Sequence, residues 1–386
     1  MDWDQLPPSV SRCCQTLWQA GFDAFPVGGG VRDLLLGRQP LDWDVTTSAR
    51  PEQVSILFPQ AIPTGIRHGT VTLPTEDSPI EVTTFRTEQG YSDGRHPDAV
   101  RFNATLEQDL ARRDFTVNAM ALDRDGGIID LFGGREDLAA GIIRCVGDPE
   151  RRFSEDALRM FRAVRFSAQL GFTVEEHTRT ALFTCSPGGA AISPERVLVE
   201  LQRLLCSPRP EQVLLLFQAG LMRPFTSALP SPLDGLAPLP PRPLERWAGL
   251  CAALGQPPEP FLRALRLENR LLRPCVAGWE AWNAGLPGSE SGWRRLLARL
   301  GDAGARAAAA MGGAEALAGL DALLASRPCV SVEGLALSGG DLVRMGYAGP
   351  AVGEAQRKLL DHVLDRPEDN RPEVLTALLK TEYPVV

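Results

Sequence analysis

Residues 28–44 read Gly-Gly-Gly-Val-Arg-Asp-Leu-Leu-Leu-Gly-Arg-Gln-Pro-Leu-Asp-Trp-Asp, and this stretch restricts the possible folds more than any other in the chain. Apolar Phe25, Pro26 and Val27 lead into three glycines, which lack the Cβ atom that would hold backbone N–H groups away from an anion. Residues 31–36 then read as a short helix whose N-terminus favours negative charge, with Arg32 as an added cation. Gly29 and Arg32 are the candidate phosphate contacts. Asp42 and Asp44 flank Trp43, and at a strand's period of two their carboxylates leave on one face. Such a pair suits Mg²⁺, which takes oxygen ligands and commonly sits between one or two carboxylates and substrate phosphates. Alone, a glycine triplet marks a turn and Asp-x-Asp a solvated loop. The specificity lies in the ordered succession, closed by β-branched Val45-Thr46-Thr47.

That succession resembles the first motif of nucleotidyltransferases related in fold to DNA polymerase β. Its Gly-Gly-x-Val-Arg-Asp wording resembles the class II tRNA nucleotidyltransferase and bacterial poly(A) polymerase family. The resemblance implies an α+β architecture, with an N-terminal polymerase-β-like head on a small mixed or antiparallel sheet, followed by an all-helical neck, body and tail. The domains expected are a catalytic head over 1–148, a base-recognising neck over 149–205, and a tRNA-binding body and tail over 206–386.

Periodicity adds the head's other elements. Residues 6–21 have helical spacing, 50–58 form a second helix candidate, and 69–73 and 79–85 are β-branched runs that read as strands. Glu81 sits within the second run, where a buried carboxylate is costly unless a cation meets it. Two readings stay open for it, a third metal-site carboxylate or an outward-facing strand residue. Residues 87–102 are rich in Gly, Asp, Ser and Pro and read as a mobile loop. A helix is expected over 106–118, carrying Arg112-Arg113-Asp114. This phrase resembles the family's second motif, which implies that Arg113 and Asp114 meet the sugar and phosphates of an incoming nucleotide. An Asp accepting from the ribose 2′-OH would separate NTP from dNTP. Residues 128–138 suit a glycine hinge or a hairpin end equally.

Residues 149–170 read as one amphipathic helix with Ser154 as N-cap. Its Glu-Asp-Ala-Leu-Arg phrase puts Asp156 and Arg159 one turn apart. A carboxylate that accepts beside a guanidinium that donates complements the edges of cytosine and adenine, and opposes those of uracil and guanine. The resemblance to CCA-adding enzymes implies that this pair serves as a protein template for CTP and ATP, with Arg162 and Arg165 as further nucleotide contacts.

Beyond residue 206 the motifs thin out into helical patterns, interrupted by a Pro-rich stretch over 226–243. With 386 residues, 44% of them hydrophobic, the chain can bury a large core. Its net charge of −8 argues against coating by nucleic acid and leaves RNA contact to clustered arginines. No apolar run spans a bilayer and the eight cysteines form no C-x-x-C pair, so a cytoplasmic protein without a membrane partner is expected. The implied activity is Mg²⁺-dependent, template-independent addition or repair of the tRNA 3′ CCA end from CTP and ATP. Asp42, Asp44 and Glu81 would be the catalytic carboxylates and Asp42 and Asp44 the metal ligands. The alternatives are a poly(A) polymerase or a CC-adding or A-adding enzyme of the same family and, in another class, a catalytically silent RNA-binding protein.

Overall fold

The computed structural model describes residues 3–90 and 99–382. Two compact units divide the chain, Met1–Pro224 and Phe225–Val386.

The first unit is α+β. Helix α1 (Pro8–Gln19) begins with proline where no backbone N–H is required, and buries Val10, Cys13, Cys14 and Leu17 in the head core. Strands β1 (Ala24–Val27), β2 (Trp43–Thr47), β3 (Ile62–Gly65), β4 (Thr70–Leu73), β5 (Ile80–Thr84), β8 (Met120–Leu122) and β9 (Ile128–Asp130) form one sheet in the order β3-β4-β5-β2-β1-β8-β9. Only β2 and β5 run parallel, so the sheet is mixed, as expected. Alternation sends Trp43, Val45, Ile80, Val82, Val71 and Leu73 into the core. Each fully buried side chain of this kind contributes roughly 1.5–3 kcal/mol. A one-residue slip would turn them all to the other face, so the register is firmly held. That register sets Asp44 between Val27 and Glu81 on neighbouring strands. Helices α2 (Gly29–Leu35) and α3 (Pro51–Leu57) follow β1 and β2.

Three local expectations change. The segment read as a loop over 87–102 begins and ends in strands β6 (Thr87–Gln89) and β7 (Ala99–Arg101), which pair antiparallel; its middle, residues 91–98, lies outside the described residues. The helix expected over 106–118 is only α4 (Leu106–Ala111), capped by Thr105. Beyond it the Asp114 carboxylate accepts from the Phe115 N–H at 2.9 Å, and the backbone pairs with residues 144–146 through Thr116 N to Arg144 O and Val146 N to Asp114 O. Tertiary partners thus satisfy groups that a helix would have bonded internally.

The single helix expected over 149–170 is two, α6 (Pro149–Glu155) and α7 (Leu158–Leu170). Asp148, rather than Ser154, caps the first, accepting from the Glu150 N–H at 3.0 Å. Asp156 is extended at the break, with φ −146° and ψ 103°, and its carboxylate accepts from the Leu158 N–H at 3.1 Å. A short acceptor at this point offers the next helix a cap and so favours the break over continuation.

Helix α5 (Gly134–Ala140) follows β9, and its two leading glycines answer to geometry. Gly133 is left-handed, and a Cβ on Gly134 would lie 2.3 Å from Thr116 O. Strands β10 (Ile142–Ile143) and β11 (Thr173–Val174) pair parallel beside α7. Helices α8 (Glu176–Cys185), α9 (Pro194–Leu205) and α10 (Val213–Gln218) complete the unit.

The second unit is helical: α11 (Pro243–Leu254), α12 (Glu259–Ala264), α13 (Asn269–Asn283), α14 (Glu290–Met311), α15 (Ala314–Ala325), α16 (Gly339–Arg344), α17 (Pro350–Asp365) and α18 (Pro372–Glu382). Pro274 lies inside α13, where it removes one backbone donor. The Ala-rich run has a packing role, since a Cβ on Gly278 of α13 would come within 2.7 Å of Ala307 on α14. The Pro-rich stretch before α11 packs Leu233, Leu236 and Leu239 into this unit's interior. Among the described residues no helix is long and apolar enough to cross a membrane.

Candidate active site

Two of the three glycines are required by what they touch. Gly28 has φ 73°, and a Cβ there would lie 3.0 Å from Arg113 Nη1 and 3.1 Å from Asp44 Oδ2. A Cβ on Gly30 would meet the Trp43 indole at 2.6 Å. Gly29 has only an ordinary contact of this kind, 3.6 Å from Arg32 Nη2, and faces the cavity. Arg32 lines the same cavity, but its guanidinium is held by Asp33 at 2.8 Å and by the Asn118 side-chain oxygen at 2.6 Å.

Asp44 and Glu81 are side-by-side neighbours on parallel strands, and Asp42, just before β2, borders the same cavity. Burial raises the Asp44 carboxyl above its ordinary value; Arg113 and Arg162 oppose this, and Asp42 reinforces it. Glu81 is raised by burial, then by Asp44 and Asp42. Like charges gathered in a half-buried place are relieved by a cation. Among the described residues, no three carboxylate, imidazole or thiol groups converge closely enough to hold a metal by themselves. Asp44 and Glu81, with Asp42 at the same cavity, are all oxygen donors, which fit an ion that takes one or two carboxylates and completes its shell with phosphate oxygens and water, the habit of Mg²⁺.

Arg113 is placed by Asp109, a fully buried carboxylate 3.5 Å from its Nη2 that also accepts from Thr46 of β2 and from Arg112. Asp114 is heavily engaged. Its Oδ1 accepts from the Phe115 N–H and the Asn118 amide, and its Oδ2 accepts from Arg162 Nε at 2.8 Å, with Nη2 of the same guanidinium 2.6 Å away. Three of a carboxylate's roughly four acceptor sites are thus taken, and a ribose hydroxyl would have to share Asp114 with Arg162. Burial pushes this carboxyl up, but Arg162, the Asn118 and Arg162 hydrogen bonds and Arg159 outweigh it and hold it at about 2.

Helix α7 lacks the charged solvent face that an amphipathic reading would give it. Arg159 and Arg165 are buried, Arg159 donating to Glu155 at 2.7 Å and to the Arg152 and Arg112 carbonyls at 3.0 and 2.9 Å. Arg165 meets Glu200 of α9 at 2.5 Å; burial lowers its pKa, Glu200 resists and Arg162 adds to the fall, leaving it at about 10. Asp156 does not pair with Arg159. Its Oδ2 accepts from Arg196 of α9 at 2.8 Å. Arg196, Glu200 and Asn118 escaped the sequence reading because the partners that give them a place in the site, Asp156, Arg165 and Arg32, are 40, 35 and 86 residues away; Asp109 lies within one turn of Arg112 and Arg113, and only its bond to Thr46, 63 residues away, required the fold.

Two adjoining cavities collect these groups. One, about 360 Å³, is bordered by Asp156, Arg159 and Arg196; the other, about 590 Å³, by Gly28, Gly29, Arg32 and Asp42. Both share Asp44, Glu81, Arg113, Asp114 and Arg162. The carboxylates thus stand where a base-sized space meets a glycine- and arginine-lined one.

The Poly A polymerase head domain matches residues 24–144, and the probable RNA and SrmB-binding site of polymerase A matches residues 171–230. A CCA-adding enzyme of Geobacillus sp. (strain WCH70) is 40% identical over 376 residues, 93% of this chain and 93% of that enzyme. The chain belongs to the CCA-adding enzyme family. The CCA-adding enzyme of Geobacillus stearothermophilus is 48% identical over 266 residues, and that alignment spans 67% of this chain and 66% of that enzyme. A crystal structure of the Bacillus stearothermophilus CCA-adding enzyme in complex with CTP superposes with a TM-score of 0.79 at 37% identity, covering 97% of this chain and 98% of that one. In this member of the CCA-adding family Asp42, Asp44, Glu81, Arg113 and Asp114 fall inside the matched head, while Asp156 and Arg159 fall between the two matched segments.

Proposed function

We propose that this chain is a template-independent nucleotidyltransferase that builds or repairs the 3′ CCA end of tRNA from CTP and ATP, releasing pyrophosphate. The observation carrying this reading is the shared wall of the two cavities, which sets Asp44 and Glu81 between the Asp156 end and the Gly29 end. A nucleoside triphosphate laid along them has its base toward Asp156 and its phosphates toward Gly29 and Arg32, so its α-phosphorus comes beside the carboxylates.

Asp42 and Asp44 would hold Mg²⁺, with Glu81 as the neighbouring third carboxylate. The bound ion would lower the pKa of the primer 3′-hydroxyl and neutralise the triphosphate, the two services that in-line phosphoryl transfer needs. Arg113, fixed against Asp109 and next to Gly28, orients the phosphates. Asp114 contacts the sugar when Arg162 turns from its carboxylate to the nucleotide. Asp156 accepts from the exocyclic amine of cytosine or adenine and Arg159 donates to the ring nitrogen, with Arg196 holding the carboxylate in place. Residues 1–148 make the catalytic head, 149–205 the base-recognising neck and 206–386 the tRNA-binding body and tail. A cytoplasmic location belongs to the same reading, supported by eight cysteines that are all free thiols.

The test is incubation with tRNA lacking its CCA end, with CTP and ATP separately and together, with Mg²⁺ or with a chelator, followed by sequencing of the 3′ end. Growth to CCA supports the reading, homopolymer A points to poly(A) synthesis, and a halt at CC points to partial addition. No extension of a folded, tRNA-binding protein leaves the silent RNA-binding alternative.

A further inference from the structure

Three guanidiniums converge on one aromatic ring at the phosphate end of the cleft. Phe166 of α7 is nearly buried, and Arg165 lies over its ring with Cζ 3.8 Å from the centroid, Arg32 at 5.1 Å and Arg162 at 5.2 Å. These arginines come from two separate parts of the chain, Arg32 from the helix after the glycines and the other two from α7 itself. All three, with Phe166, border the larger cavity. Like charges so gathered repel one another. Asp33, Asp114 and Glu200 offset part of this, Glu200 reaching both Arg165 and Arg162. The ring supplies an attraction of a different kind, since its negative face draws cations without neutralising them as a carboxylate does. Phe115 in turn braces the ring edge-on, with centroids 5.8 Å apart.

We propose that Phe166 is a positioning residue for the triphosphate: its ring fixes Arg32, Arg162 and Arg165 as one cationic group on the cavity wall. This rests on the nucleotidyltransferase reading and adds a residue to it. Because the group faces phosphates, which CTP and ATP share, its loss acts equally on both nucleotides. Base choice, set at the Asp156 end, is left alone.

The experiment compares wild-type protein with Phe166→Leu and Phe166→Tyr in single-nucleotide addition. Leu keeps apolar volume without a π face, and Tyr keeps the face. Phe166→Leu is expected to raise KM for CTP and for ATP by about tenfold, within the range of a few cation–π contacts, with kcat changed less than about threefold. Phe166→Tyr restores KM to within about threefold of wild type, and tRNA affinity is the same in all three proteins. Wild-type KM values in Phe166→Leu would overturn the proposal, as would a defect confined to one nucleotide or a folded Phe166→Tyr as impaired as Leu. Inactivity of the wild-type protein would instead count against the nucleotidyltransferase reading itself.

Discussion

Arg162 grips a single oxygen of Asp114 with two nitrogens, Nε at 2.8 Å and Nη2 at 2.6 Å, across 48 residues of sequence. The bond ties helix α7 to the segment after α4, and it occupies an acceptor that the sugar of a nucleotide could otherwise use. The sequence assigned both residues to the nucleotide; the fold first assigns them to each other.

The pairing predicts a defined acid sensitivity. Burial alone would raise the Asp114 carboxyl, yet Arg162 and its other partners bring it from an ordinary 3.8 to about 2. A group with a depressed folded pKa adds stability above its unfolded value and loses it as pH falls toward the folded one. Asp114 should therefore contribute about 2 kcal/mol that is intact above pH 4 and gone near pH 2. In urea unfolding, the stability gap between wild type and Asp114→Asn should narrow by about that amount from pH 5 to pH 2. A gap constant over this range would mean that the carboxylate is not charged against Arg162.

Removing either strand carboxylate should impair chemistry without impairing the fold. Asp44→Asn is expected to reduce nucleotide addition about a hundredfold or more at fixed Mg²⁺, because it removes the proposed metal ligand from the shared cavity wall. Glu81→Gln should be milder and should raise the Mg²⁺ concentration needed for half-maximal rate. Addition at wild-type rate by Asp44→Asn would remove the metal assignment, and an unaltered Mg²⁺ titration in Glu81→Gln would return that residue to the role of a plain strand side chain.

Arg159 and Arg196 should differ in what they contribute to stability. Arg159 is buried against Glu155 and two backbone carbonyls; Arg159→Met removes those three bonds, Glu155 keeping Arg151 and Arg152, and should cost about 1–3 kcal/mol of stability. Arg196 touches Asp156 from the cavity rim, and Arg196→Met should leave stability within about 1 kcal/mol while loosening the carboxylate. Misincorporation of UTP and GTP, measured singly, should rise in Arg196→Met. Unchanged selectivity in that variant would show that Asp156 needs no holding from α9.

Residues 91–98 lie between β6 and β7 in the sequence and outside the described residues; the family resemblance implies that completing CCA needs this segment to refit one pocket from pyrimidine to purine. Replacing 91–98 with a two-residue hairpin turn should spare both C additions and slow the A addition at least about tenfold, as losing correct substrate placement does. Equal slowing of all three steps would assign the segment to folding or general closure.

The family and the pattern of the sheet were legible in the sequence. Asp44 and Glu81 were legible because strand alternation is local: with Trp43, Val45, Ile80 and Val82 facing the core, their neighbours have only the other side to occupy. The glycines read as a phosphate cradle; the structure gives Gly28 and Gly30 a further reason, since a side chain there would meet Arg113, Asp44 and the Trp43 ring. Tertiary structure alone decided where the helices stop. Residues 114–118 leave α4 to pair with 144–146, and Asp156 breaks 149–170 in two while taking Arg196 as its partner. It alone also decided which charges are committed. A lone arginine in a sequence looks available, but burying it requires acceptors; beside the local Asp33 and Gln169, those for Arg32, Arg162 and Arg165 include Asn118, Asp114 and Glu200, residues that no local spacing links to them.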